Sequence, residues 1–99
     1  MKYEFHPEAL DEYQQAALWY AERDQSVALR FVTVIEDAIE RVVTAPERWR
    51  VVDEDVRRCL TRVFPYAILY TIEDDFVLIV AVMHVSRAPG YWKSRIEQS

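Results

Sequence analysis

The sequence predicts a two-layer α+β fold, a helical hairpin packed on a four-stranded antiparallel sheet. Three observations predict it. Two stretches in the first half repeat apolar residues at helical spacing, the second half switches to a period of two, and residues 76–85 form a continuous β-branched run whose first eight residues, 76–83, are all apolar. Such a run is the pattern of a central strand covered on both faces.

The elements follow in order. Residues 2–6 alternate Lys2, Tyr3, Glu4, Phe5, His6, a short half-buried strand with Tyr3 and Phe5 inward. Pro7 suits the first helical position and Glu8 the positive end of the helix dipole, so a helix opens there and runs to about Glu22. Asp24 and Ser26 are candidate N-caps of a second helix. Its stripe is Val27, Phe31, Val34, Ile35, Ala38, Ile39 and Val42, and the Ala45-Pro46 step ends it. The few polar residues between the helices imply an antiparallel hairpin, with Leu10, Tyr13, Phe31, Ile35 and Ile39 as the main inner contacts. Residues 57–64 then alternate, with Arg58, Leu60 and Arg62 on one face. Pro65 breaks the pattern, residues 66–72 resume it, and Glu73-Asp74-Asp75 turns the chain into the apolar run. Residues 87–95 form a polar-aromatic tail.

Composition narrows the function. The 99 residues are one domain's worth, 1–99, and with 52% apolar and 29% charged residues the chain has a core and is not wholesale disordered. One glycine excludes glycine-cradled nucleotide loops. The single Cys59 forms no intrachain disulfide, and the start at Met1-Lys2-Tyr3-Glu4 does not read as a signal peptide. The apolar run falls far short of the ~20 residues of a membrane span. A small cytoplasmic domain is the expectation. Net charge is −5, the wrong sign for a surface that grips nucleic acid everywhere. The charge is uneven, however. Residues 1–56 carry six basic against thirteen acidic residues, and residues 57–99 carry six against four. An anionic partner would meet the sheet rather than the helices.

Few residues stand out as chemistry. Arg58 and Arg62, ~13 Å apart on one strand face, would bracket a phosphate backbone or an acidic peptide; an edge strand kept soluble by charge is the competing reading. His84 and Arg87, followed by Tyr91 and Trp92, offer a near-neutral base, a cation and a phenol for acid–base work on a phosphodiester. For residues this isolated, the reading to prefer is structural: His84 caps a strand end while Tyr91 and Trp92 pin the tail to the sheet. Metal binding is not indicated: His6 and His84 lie in different segments, Cys59 has no partner at ligand spacing, and Glu36 and Glu40 read as a solvated helix face.

Arg57-Arg58, the run Phe64-Pro65-Tyr66-Ala67-Ile68-Leu69-Tyr70 and the tail His84-x-x-Arg87-x-Pro89-x-Tyr91-Trp92, in this element order, resemble the RelE/ParE toxin superfamily of bacterial type II toxin–antitoxin modules. The resemblance spans nearly the whole chain. It implies strand order 1-4-3-2, no cofactor, and a cognate antitoxin whose otherwise disordered tail wraps the toxin, with oligomers forming only with that antitoxin. Two activities occur in the superfamily. The ribosome-dependent mRNA endonucleases concentrate basic residues on the middle strands beside an Arg and a Tyr near the C-terminus. Arg58, Arg87 and Tyr91 fall near matching positions, but Leu60 and Ala67 stand where that branch has basic side chains. The tail is closer to the ParE branch, which lacks the nuclease set and poisons DNA gyrase. The resemblance therefore implies a gyrase-inhibiting toxin that meets its target or antitoxin through Arg58, Arg62, Arg87, Tyr91 and Trp92. An mRNA endonuclease using Arg58, Arg62, His84, Arg87 and Tyr91, and an inactive relative that only binds antitoxin, stay open.

Overall fold

The computed structural model describes residues 1–96. It consists of β1 (Lys2–Phe5), α1 (Pro7–Ala21), α2 (Gln25–Thr44), β2 (Arg50–Asp53), β3 (Val56–Leu60), β4 (Tyr66–Ile72) and β5 (Phe76–His84), with single 3-10 turns at Pro46–Arg48 and Lys93–Arg95. Of the two candidate caps of α2, Asp24 is the one used, and His6 caps α1, a role not assigned from the sequence. His6 accepts a hydrogen bond from the Glu8 N–H ahead of Pro7, and the Asp24 carboxylate accepts from the Ser26 N–H at 2.9 Å and from its hydroxyl at 2.7 Å. Those bonds hold the Asp24 carboxyl below its ordinary range.

The sheet differs from expectation in two ways. It has five strands in the order β1-β5-β4-β3-β2, and it is mixed, because β1 runs parallel to β5. The expected neighbours, first strand beside last, survive once β2 is set aside. β1 reaches β5 only after the helices and three strands, and so long a connection imposes no antiparallel pairing. The added strand, β2, is a four-residue edge whose residues are almost all exposed, so it carries no alternation, and its turn to β3 uses Glu54-Asp55 rather than a glycine pair. β3 is also shorter than the alternating stretch. It ends at Leu60 because the Thr61 hydroxyl turns onto the carbonyls of Phe64 and Tyr66, and Val63 takes a positive φ of 71°. Arg62 therefore lies in the β3–β4 turn and does not share a strand face with Arg58.

The main core lies between helices and sheet. Phe31, Ile35, Ile39 and Val42 of α2 are fully buried or nearly so against Cys59, Ile68, Tyr70, Val77, Ile79 and Val82. Each large side chain buried there contributes ~1.5–3 kcal/mol. The inner contacts of α1 are Ala9 and Ala16, with Tyr13 and Tyr20 partly buried; Leu10 is 39% exposed, contrary to expectation. Tyr3 leans on Phe5 at the β1 edge but stays 38% exposed. Small residues at the contact let α1 lie close along β5.

A second core covers the other face. In β5, Leu69 pairs with Ala81 but Tyr70 with Ile79, so Val80 is a β-bulge. Val80 and Ala81 both pack there with Val56, Ala67, Leu69 and Trp92, and β5 is covered on both sides, as the apolar run predicts. Among the described residues, no helix is long and apolar enough to cross a membrane.

Candidate functional site

β1 pairs with β5 only as far as Ile79, where the His6 N–H meets the Ile79 carbonyl. Beyond that point the edge of β5 would be bare. One side chain of α1 closes it. Glu12 Oε1 accepts the Val82 N–H at 3.0 Å, and Arg95, from the tail, donates to the Val80 carbonyl at 2.9 Å. The two side chains join each other through paired contacts of 2.9 Å, Nη1 to Oε1 and Nη2 to Oε2. Together they occupy the place of the missing strand. Both are largely buried, with side-chain exposures of 7% for Arg95 and 15% for Glu12, and the contact to Glu12 raises the Arg95 guanidinium above its ordinary value. Bidentate, desolvated pairs of this kind are the strong ones.

The aromatic tail is tied to the same carboxylate. The Tyr91 hydroxyl donates to Glu12 Oε2 at 2.6 Å. Burial, then the bond to Glu12, pushes that phenol well above the ordinary tyrosine range, so it keeps its proton. The Arg87 guanidinium lies 3.9 Å over the Tyr91 ring, and Trp92, 5% exposed, sits in the second core. Lys93 bridges to Asp53 at 2.9 Å, tying the tail to β2 across the sheet. The tail is thus strapped over the face away from the helices.

His84 ends β5 opposite Tyr66, its ring 5.2 Å from that of Tyr66 on the helical side. Its Nδ1 accepts the Ser86 N–H at 3.1 Å and lies 2.8 Å from the Ser86 hydroxyl, so the ring closes the strand end. His84 and Arg87 share a groove of about 530 Å³ with Glu12, Trp19, Tyr20 and Tyr66. Arg58 is elsewhere. Register puts it on the opposite face of the sheet, beside Leu69 and directly across from Arg50. Leu60 and Ala67 are partners on that same face. Arg62 is exposed in the β3–β4 turn. The five residues of a nuclease arrangement are thereby divided: Arg87 and Tyr91 stack, His84 joins Arg87 in the groove, and Arg58 and Arg62 join neither. Arg57 is spent on structure, donating to the carbonyls of Glu47 and Trp49.

Glu12 and Arg95 were not singled out by sequence, although one signal was available. Glu12 sits on the inward stripe of α1 between Ala9 and Ala16, where an uncompensated carboxylate would be costly, so its counterion had to come from elsewhere in the fold. Arg50 was missed with its strand. Among the described residues no group of three His, Cys, Asp or Glu side chains is placed to hold a metal ion, and Cys59 is buried, its thiol raised by that burial.

Comparison with known proteins adds a family and a fold. Residues 3–89 match the family described as ParE toxin of type II toxin-antitoxin system, parDE. Among solved structures, a chain of the chromosomal ParDE TA system from P. aeruginosa superposes with a TM-score of 0.76 at 13% identity, over 87% of this chain and 97% of that one. No curated protein matches in sequence.

Proposed function

Because the chain belongs to the ParE toxin family of type II toxin–antitoxin systems, we propose that it is the toxin of such a module, inhibits DNA gyrase by binding rather than by cutting nucleic acid, and is neutralised by a cognate antitoxin. The observation that carries the non-nuclease part is the state of the tail. Phosphodiester cleavage needs a base, a proton donor and cations converging on one phosphate. Here the Tyr91 hydroxyl and the Arg95 guanidinium are both committed to Glu12, and Arg58 faces away from His84. What remains for a partner is a shape: a strapped tail, a groove with His84 and Arg87, and a sheet face with Arg50 and Arg58. Neither Arg50 nor Arg58 forms an ion pair among the described residues, which suits an acidic antitoxin segment. The proposed targets place the action in the cytoplasm.

Two assays run side by side test this. Purified chain is expected to inhibit gyrase supercoiling and leave ribosome-bound mRNA intact, and its induction without antitoxin to raise a DNA-damage response. Codon-phased mRNA cuts that disappear in His84→Ala and Arg87→Ala would reverse the assignment.

A further inference from the structure

The β3–β4 turn presents its side chains at a conformational cost. Val63 is the centre of a γ-turn closed by the Phe64 N–H on the Arg62 carbonyl at 2.7 Å, with φ 71°. For a β-branched residue this is an outlier, and glycine would adopt it freely. Val63 is also 83% exposed, so packing inside the fold does not explain the choice. Across from it, at the start of α2, Leu29 is 67% exposed. The two flank a groove of about 280 Å³ lined with Arg30, Thr33, Val34 and Phe64. Arg30 lines that groove and Arg62 adjoins it beside Val63. Neither forms an ion pair among the described residues, although Asp24, at the start of the same helix, feels the Arg30 charge.

We propose that this groove is a docking subsite for an acidic amphipathic segment of the antitoxin, with Leu29 and Val63 as apolar contacts and Arg30 and Arg62 receiving carboxylates. The subsite rests on the toxin reading above and adds a second location, apart from the tail and from Arg58. Charge and shape select the occupant. An apolar centre flanked by only two cations suits an amphipathic protein segment better than a nucleic-acid backbone, whose affinity comes from many phosphate contacts. A second copy of this chain, related by a two-fold, would bring the same two cations onto themselves.

Val63→Gly separates the two roles of the residue. It removes the apolar contact and relieves the strained backbone, so the thermal midpoint should hold or rise while antitoxin affinity falls by about tenfold, the equivalent of ~1.4 kcal/mol. Arg30→Glu with Arg62→Glu should weaken binding further and invert its salt dependence. Titration of purified chain with its cognate antitoxin, followed by calorimetry at two salt concentrations, reads both. Wild-type affinity and salt dependence in both variants overturn the subsite and leave the toxin assignment standing. A wild-type chain that binds no antitoxin overturns both. Should Val63→Gly lower the midpoint, the charge-reversed pair decides alone, since it leaves the turn backbone untouched.

Discussion

Replacing Glu12 with alanine tests the central feature of the fold most directly. The carboxylate accepts four hydrogen bonds, from the Val82 N–H, the Tyr91 hydroxyl and two Arg95 nitrogens. Its removal leaves a guanidinium that is 7% exposed without its counterion, and breaking a buried pair from one side costs ~3–5 kcal/mol. The orphaned Val82 N–H and Tyr91 hydroxyl add to this, less than additively because all three donors share one acceptor. Against a typical ~5–15 kcal/mol of total stability, Glu12→Ala is severe. Glu12→Gln keeps an acceptor for Val82 but loses the charge, and should fall between alanine and wild type. Chemical denaturation followed by Trp fluorescence and far-UV circular dichroism measures the loss, and amide exchange shows whether residues 90–96 open first. Replacing Glu12 by Leu together with Arg95 by Met should recover much of the stability, since apolar isosteres often match a buried pair. A loss under ~1 kcal/mol for Glu12→Ala, the range of exposed surface pairs, would refute the argument that these side chains stand in for a strand.

Two further outcomes follow from the packing. The Tyr70 hydroxyl donates to the Pro46 carbonyl, and burial raises it to about 12. A phenol raised in the folded state keeps its full contribution below the unfolded value near 10 and loses it as pH rises through the folded one, so the thermal midpoint should fall between about pH 10 and 12, and less steeply in Tyr70→Phe. A fall complete before about pH 10, unchanged in Tyr70→Phe, would contradict this. Arg50 and Arg58 lie directly opposite on one face, a like-charge pair that costs stability, so Arg50→Glu should raise the unfolding free energy by ~0.2–1 kcal/mol in denaturant titration; no change would mean the side chains splay apart.

Much of the fold was legible because its signals are local. Pro7, Asp24 and the Ala45-Pro46 step bound the helices within a residue or two of the observed limits, and the apolar run became the doubly covered β5. Two departures share a cause: the deciding interaction lies outside the segment. Val51 and Val52 are exposed at 44% and 38%, so β2 buries no face that would impose a period, and only pairing with β3 makes it a strand. Leu10 sits at a helical spacing that fits the core, yet the helix rotates to bring Ala9, Ala16 and Glu12 toward β5, because its approach there is set by the bare edge that Glu12 must reach.

That rotation also explains which parts of the tail were readable. His84, Arg87, Tyr91 and Trp92 stand out by type and spacing, and three of the four come together beside α1 while Trp92 enters the second core. Their common anchor could not be read from the tail, because it lies 79 positions upstream of Tyr91. Nor could the consequence for their chemistry. A tyrosine and an arginine near a chain end suggest groups free to move protons or to hold a phosphate. Here Tyr91 and Arg95, the latter not the arginine that stood out by spacing, are bonded to one desolvated carboxylate and held in place, which under the binding reading proposed above makes their contribution one of shape. The proposed binding mode would gain from this rigidity, because a tail ordered before contact loses less conformational entropy when it docks.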